Sequence, residues 1–153
     1  EAEMAHPQST RYVPIREAVC AALLGAPALG EVKAMVQDRE AFDSLPSTRL
    51  PALGVFFSDS MGGEQARWAS NRRDHSYQLE VWVAVASRES AQACDDLLLA
   101  YVEAVEDALR AAPTLGGLVR WLEVALARRA RRKAESYWHA RAVLQVTCAR
   151  RTG

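Results

Sequence analysis

The histidines and cysteines are the side chains of this sequence best suited to hold a metal or to act as nucleophiles. Metal motifs place such ligands three or four positions apart on a helix, or as close Cys pairs. Here all six are widely separated: His6, His75, His139, Cys20, Cys94 and Cys148. The spacing predicts no metal site. It favours cysteines that are buried as small apolar residues, and histidines that lie at the surface or at an interface. Three cysteines without close pairs also indicate a reducing compartment.

Other catalytic patterns are missing from the sequence as well. Gly62 and Gly63 lie in a long loop and lack the strand-to-helix turn that a phosphate-binding loop needs. Asp95 and Asp96 are consecutive on a predicted helix, so they point about 100° apart and do not face each other as an acid–base pair. No serine stands in a nucleophile elbow. The sequence therefore predicts a protein that is not an enzyme and takes no cofactor.

The formal charges cancel, but they are divided unevenly along the chain. Residues 1–119 carry 10 Lys and Arg against 17 Asp and Glu, whereas residues 120–153 carry 9 against 2. The densest cations are Arg128, Arg129, Arg131, Arg132 and Lys133. Such a separation predicts either head-to-tail contact between copies or an anionic partner.

Length and composition indicate one compact soluble domain. The chain has 153 residues, of which 50% are hydrophobic and 25% charged. We expect the domain to span residues 1–153, with residues 1–11 as a flexible leader. The longest nearly apolar stretch, residues 19–29, is shorter than the ~20 residues that cross a bilayer, so no membrane span is expected.

Two segments carry the apolar spacing of amphipathic helices. The first begins near Pro14 and ends at Gly25. The second is longer, with an apolar stripe over residues 94–109 at spacings of three and four. Ser87 or Ser90 caps its start, and a proline and two glycines beyond residue 109 end it.

Period-two alternation predicts the strands, most clearly over residues 77–85. Further strands are expected at residues 32–36, 53–57, 118–127 and 137–148. The link at residues 58–73 is long for a hairpin. The element order predicts an α+β fold, a mainly antiparallel sheet of four to five strands with two helices packed on it.

The five clustered cations fall between the last two predicted strands, so they are expected at the tip of a protruding, solvated hairpin. Such a tip contacts a protein, lies free in solvent or contacts nucleic acid through phosphates. A nucleic-acid reader usually interleaves aromatic residues with the basic ones, and the tip itself has none.

Trp82 has an unusual predicted position for a large aromatic residue. Period two places it on the polar face of its strand with Gln78 and Glu80. An outward Trp either packs under a helix of its own chain or anchors a contact between subunits, where aromatic residues are enriched.

Four segments resemble a known family. They are the opening helix IREAVCAALLG, the proline-led strand LPALGVFF, the strand and long helix HSYQLEVWVAVASRESAQACDDLLLAYVEAVEDAL, and the closing strand YWHARAVLQVTCAR. The chain resembles the tail terminator, or tail-completion, proteins of long-tailed bacteriophages and related gene transfer agents. The resemblance covers residues 12–150, and the loop at residues 58–73 and the arginine-rich tip depart from it.

The resemblance implies a structural virion protein assembled in the host cytoplasm. Proteins of that family form a homo-hexameric ring on the finished tail tube, which ends tube growth and offers a surface to the head-side connector. DNA is then a partner only as it passes through the ring, and no membrane is involved. The alternatives are another neck connector of the phage, or a nucleic-acid-binding accessory domain that uses the basic tip.

A ring requires one patch of each subunit to meet a different patch of the next subunit, and the acidic body and basic end are complementary in this way. The candidate residues for the contact with a neighbour or with the tube are Arg128, Arg129, Arg131, Arg132 and Lys133, together with Arg72, Arg73 and Trp82.

Overall fold

The computed structural model describes residues 6–59, 64–67, 72–134 and 136–152, and of residues 64–67, 72–75 and 151–152 it describes the backbone. The described helices are α1 (Tyr12–Leu24), α2 (Arg39–Asp43) and α3 (Ala91–Arg110). The described strands are β1 (Ala34–Val36), β2 (Ala52–Phe57), β3 (Glu64–Arg67), β4 (Arg72–Ser87), β5 (Trp121–Ala134) and β6 (Tyr137–Thr152). Short 3₁₀ turns lie at Pro27–Leu29 and Ser47–Arg49.

The strands form one sheet in the order β1-β2-β4-β6-β5, and β3 pairs with the first residues of β4. β1 and β2 are parallel, and the other pairs are antiparallel. The predicted α+β class is therefore confirmed. The sequence expectation omitted β3 and α2, because segments of four and five residues are too short to show a period.

Helices α1 and α3 cover one face of the sheet and enclose the main core. Alternate residues of β4 from Tyr77 to Val85 face this core, where Ile15 and Leu98 pack against them. The hydroxyl of Ser90 accepts a hydrogen bond of 3.0 Å from the Ala93 amide, so it is the cap of α3. None of the described helices is long and apolar enough to span a membrane.

Helix α2 covers part of the opposite face and builds a smaller apolar cluster. Phe42, Phe56 and Trp82 meet edge to face, with ring centroids 5.4 to 6.1 Å apart. Trp82 is 8% exposed, and its indole Nε1 donates a hydrogen bond of 2.8 Å to Glu80. Trp82 is therefore covered by a helix of its own chain, which leaves little of its surface for the predicted subunit contact.

The basic segment does not form the predicted hairpin tip. β5 continues through residues 128–133 as far as Ala134, and β6 begins three residues later at Tyr137. A shift in register between Leu126 and Arg128 lets the ladder with β6 continue. The hairpin also does not protrude, because β6 is paired with β4 up to the Ser87–Trp138 pair and so ends level with it. The five cations lie along the edge of the sheet, where their side chains remain in water.

Candidate interaction surface on the β5 edge

Strand β5 is an edge strand of the sheet. It pairs with β6 along one side, and the described residues supply no strand along the other. Residues 125–133 are all exposed. An edge of this length presents a row of backbone N–H and C=O groups that another chain can pair with. We name the cations on it the basic edge: Arg128, Arg129, Arg131, Arg132 and Lys133.

The basic edge presents cations on both faces of the sheet. Partners in an antiparallel ladder point to the same face. Arg129, Arg131 and Lys133 pair with residues 142, 140 and 138, which places them on the face that carries α3. The remaining two, Arg128 and Arg132, pair with residues 143 and 139 and lie on the face that carries α2.

On the α3 face, part of the basic edge is already engaged within the chain. Arg131 forms an ion pair with Asp95 in the first turns of α3. The Arg131 guanidinium lies 5.9 Å, and the Lys133 ammonium 5.3 Å, from the centre of the Trp138 ring. Cations over an aromatic face are attracted by its quadrupole. The fold therefore interleaves an aromatic residue with the cations, which the sequence of the segment alone does not show.

The other three arginines have no such engagement. Arg128, Arg129 and Arg132 are exposed, and they form no ion pair or ring contact with the described residues. They are the part of the basic edge whose charge remains open to a partner.

On the α2 face, a groove of about 310 Å³ opens between α2 and the end of the β5–β6 hairpin. One wall is apolar and is formed by Phe42, Leu45 and Leu50. The floor is formed by β4 and β6. The wall nearest the edge contains Ala130 and Arg132. The groove thus joins an apolar interior to the basic edge.

Two polar side chains of the groove are held by neighbours. Arg141 pairs with Asp43 at 2.9 Å, and its guanidinium lies 5.0 Å from the Trp82 ring centre. The Nε2 atom of His139 lies 3.3 Å from the hydroxyl oxygen of Ser47. Burial, and then the positive charge of Arg132, lower the pKa of His139, so this side chain is kept neutral near pH 7.

Acidic side chains gather at the opposite edge of the sheet, around β1 and α2. We name this group the acidic edge. It contains the exposed residues Glu31, Asp38, Glu40 and Asp59, and the exposed cations Lys33 and Arg49 lie beside them. Arg39 neutralises part of it through a 2.9 Å ion pair with Asp59. The strand order places the acidic edge and the basic edge on opposite sides of the sheet.

Among the side chains that the structure describes, the groups that could do chemistry do not converge. Within the described ranges, no three His, Cys, Asp or Glu side chains are placed to hold a metal ion. The three cysteines are buried and free, as their spacing predicts. Burial raises the pKa of the Cys148 thiol to about 12, which keeps it protonated and unreactive.

The remaining predicted contact residues are Arg72 and Arg73. Their backbone begins β4, where it pairs with β3. Their side chains lie outside the described part of the chain. Half of the loop predicted at residues 58–73 also lies outside it, including Gly62 and Gly63, and the described half contains β3 and the start of β4.

Comparison with known proteins gives little beyond this geometry. No family model matches the chain, and no curated protein matches it. Among solved structures, the chain is similar to one in the virion of a native gene transfer agent particle. The two are 11% identical, with a TM-score of 0.41, and the match covers 93% of this chain and 99% of that one.

Proposed function

We propose that the chain is a non-enzymatic structural protein of a virion, and that six copies close into a ring on the head-proximal end of a tail tube. The ring ends elongation of the tube and offers the head-side connector a surface to join. The resemblance of the four sequence segments to tail terminator proteins supports the proposal. The observation that carries it is the row of cations along β5, on the side of the sheet opposite an edge where exposed carboxylates outnumber exposed cations.

Opposite edges of unlike charge suit a ring. A cyclic assembly uses a heterologous contact, in which one surface of each subunit meets a different surface of the next. The basic edge of one copy facing the acidic edge of its neighbour satisfies this condition. The same charges disfavour a two-fold dimer through either edge, because like charges then meet.

The three free arginines on their own give a weak contact. An exposed ion pair contributes roughly 0.2–1 kcal/mol and is screened by salt. Three such pairs therefore supply about 0.6–3 kcal/mol, which guides orientation more than it holds the ring together. A stable ring also has to bury on the order of 1,000 Å² at each contact. We therefore expect ring formation to depend on salt and to be strengthened by a tube that templates it.

Charge reversal at the basic edge tests the proposal. Arg129→Glu with Arg132→Glu removes one free cation from each face and leaves the Arg131–Asp95 ion pair intact. A reversal at Arg131 is less suitable, because it sets a carboxylate against Asp95. Arg11→Glu is the control, since Arg11 is exposed at the N-terminal end of α1, where a carboxylate is favourable.

The readouts are mass by light scattering and ring images by electron microscopy, with and without added tail tubes. Six 16.8-kDa chains give a particle of about 100 kDa. We expect wild-type protein and the control to form rings, and the double variant to remain folded but fail to form them. Wild-type protein that stays a single chain even on tubes refutes the ring. Equal ring formation by the double variant removes the basic edge from the contact. If electron microscopy places a labelled chain at the connector rather than at the end of the tail tube, the alternative that the chain is another neck connector protein is favoured.

A second candidate function is binding of nucleic acid through the basic edge. Trp138 between Arg131 and Lys133 is the observation that favours it, because stacking surfaces beside cations are typical of single-strand binding. Retention on a DNA column that falls steeply with salt supports this function, and free passage at low salt refutes it.

A further inference from the structure

The side chains of β5 disfavour pairing of its free edge with the β5 strand of a second copy. Two β5 strands that paired with each other would set arginines against arginines, which is destabilising for residues directly opposite one another. Charged side chains and a bulge are the means by which edge strands avoid such pairing, and β5 has both. The same cations attract a strand that carries carboxylates.

The groove adds a place for one apolar side chain. On the α2 face, the side chains of Arg128, Ala130 and Arg132 follow one another, because alternate residues share a face. Ala130 is the short member between two cations, and it lines the groove. A strand added to β5 lies about 4.8 Å away. Its residue opposite Ala130 therefore points to the same face and into the mouth of the groove.

We infer that the β5 edge binds an extended acidic segment of a partner by strand addition, with one apolar side chain of that segment in the groove beside Ala130. Backbone hydrogen bonds to the edge give affinity, and the alternate side chains give specificity. The two residues on either side of the apolar one, two positions away in each direction, carry carboxylates that meet Arg128 and Arg132. The inference rests on the proposed function, because both use the free edge of β5 as a contact surface. It adds the chemistry of the segment that this edge binds.

A peptide fits these observations better than a nucleic acid. The groove wall is formed by Phe42, Leu45 and Leu50, which offer an apolar side chain a surface but give a phosphate nothing to bond. A nucleic acid also lacks the regular N–H and C=O groups that complete a ladder on β5. The aromatic residue that could stack with a base, Trp138, lies on the other face of the sheet.

The probe is the synthetic peptide acetyl-Thr-Glu-Thr-Phe-Thr-Glu-Thr-amide, titrated into the full chain labelled with ¹⁵N. Its Phe and two Glu share one face when it is extended. We expect saturable shifts of the backbone amides at residues 128–133. Three further peptides are controls. One has Gln in place of both Glu, and the other two carry N-methyl groups either on the Thr amides or on the Glu and Phe amides, because only one of these two sets of hydrogen-bond donors faces β5.

Substitutions on β5 distinguish the contribution of the groove to peptide binding from the contribution of overall charge. Ala130→Glu places a carboxylate at the groove mouth, and we expect it to weaken binding about tenfold or more. Ala125→Glu is the matched control, because Ala125 is exposed on the same strand and face but does not line the groove. Arg132→Gln is expected to weaken binding about two- to fivefold, in line with the loss of one exposed ion pair. Arg110→Gln is expected to leave it unchanged.

Four results overturn the inference: no shift at millimolar peptide, equal binding by Ala130→Glu and Ala125→Glu, undiminished binding of both N-methylated peptides, or displacement of the peptide by a lower concentration of oligothymidylate. Ring formation is scored separately by mass. Peptide binding without rings refutes the proposed function alone, and rings without peptide binding refute this inference alone.

Discussion

Replacing Gly54 by Ala is expected to destabilise the protein, although the same change in a strand often does the opposite. Gly54 lies in the middle of β2, opposite Trp82 in the ladder. A Cβ atom at this position would come within 2.5 Å of the Phe56 ring and 2.9 Å of the Phe42 ring. Both rings lie over the backbone of Gly54 and occupy space that a side chain at this position would fill.

Neither ring can move away at low cost. Phe56 is 5% exposed, and its ring centroid lies 5.4 Å from that of Trp82. The Arg39 guanidinium lies 5.7 Å from the same ring. Phe42 is 3% exposed and holds α2 on the sheet. An added methyl group therefore displaces a packed ring, and with Phe42 it displaces the apolar wall of the groove.

The magnitude follows from two opposing effects. Loss of glycine's freedom in the unfolded chain stabilises by about 0.4–1 kcal/mol. Overpacking of a filled core costs about 1–3 kcal/mol. We expect a net loss of about 1–2 kcal/mol in the free energy of unfolding. For a chain of this size this lowers Tm by about 2–8 °C.

Urea denaturation and thermal melting of Gly54→Ala measure the loss. Phe56→Leu and the double variant complete a mutant cycle. Because the smaller side chain frees space for the methyl group, the two costs are expected to be less than additive. An unchanged or raised Tm in Gly54→Ala refutes the reasoning, and so does full additivity.

Three further predictions each concern one side chain, that of Ser90, His139 or Cys148. Ser90→Ala removes the cap of α3 and is expected to lower the free energy of unfolding by about 1 kcal/mol in urea denaturation, and no loss would contradict the capping role. The pKa of His139 is lowered in the folded chain, so the unfolded chain takes up a proton first as the pH falls through about 6.5. Stability is then lost below that pH, and urea midpoints of His139→Gln are expected to fall less steeply than those of the wild type; parallel curves would rule this out. The raised pKa of Cys148, about 12, makes its modification by a thiol reagent at pH 8 depend on unfolding, and rapid labelling of the native chain at Cys148 would show the burial to be wrong.

Much of the fold can be predicted from the sequence, because the signals are local. The strand at residues 77–85, the apolar stripe of α3 and the burial of the cysteines all follow from spacing and residue type. The extent of β5 does not follow. Residues 128–133 are exposed on both faces, so they show no alternation, and a run of cations in an edge strand looks the same as a run in a loop.

The sequence by itself determined the α+β class, the chemistry available and the separation of charge along the chain, since composition and period are properties of neighbouring residues. The tertiary structure alone decided where those charges lie and what they adjoin. Pairing of β5 with β6 turned the basic segment into an edge opposite the acidic one. Folding of α2 across the sheet covered Trp82 with Phe42 and opened the groove beside Ala130. The contact of Phe42 with Trp82 joins residues 40 positions apart, and the groove brings Phe42 and Ala130, still farther apart in sequence, to one site. No local pattern encodes which of these residues meet.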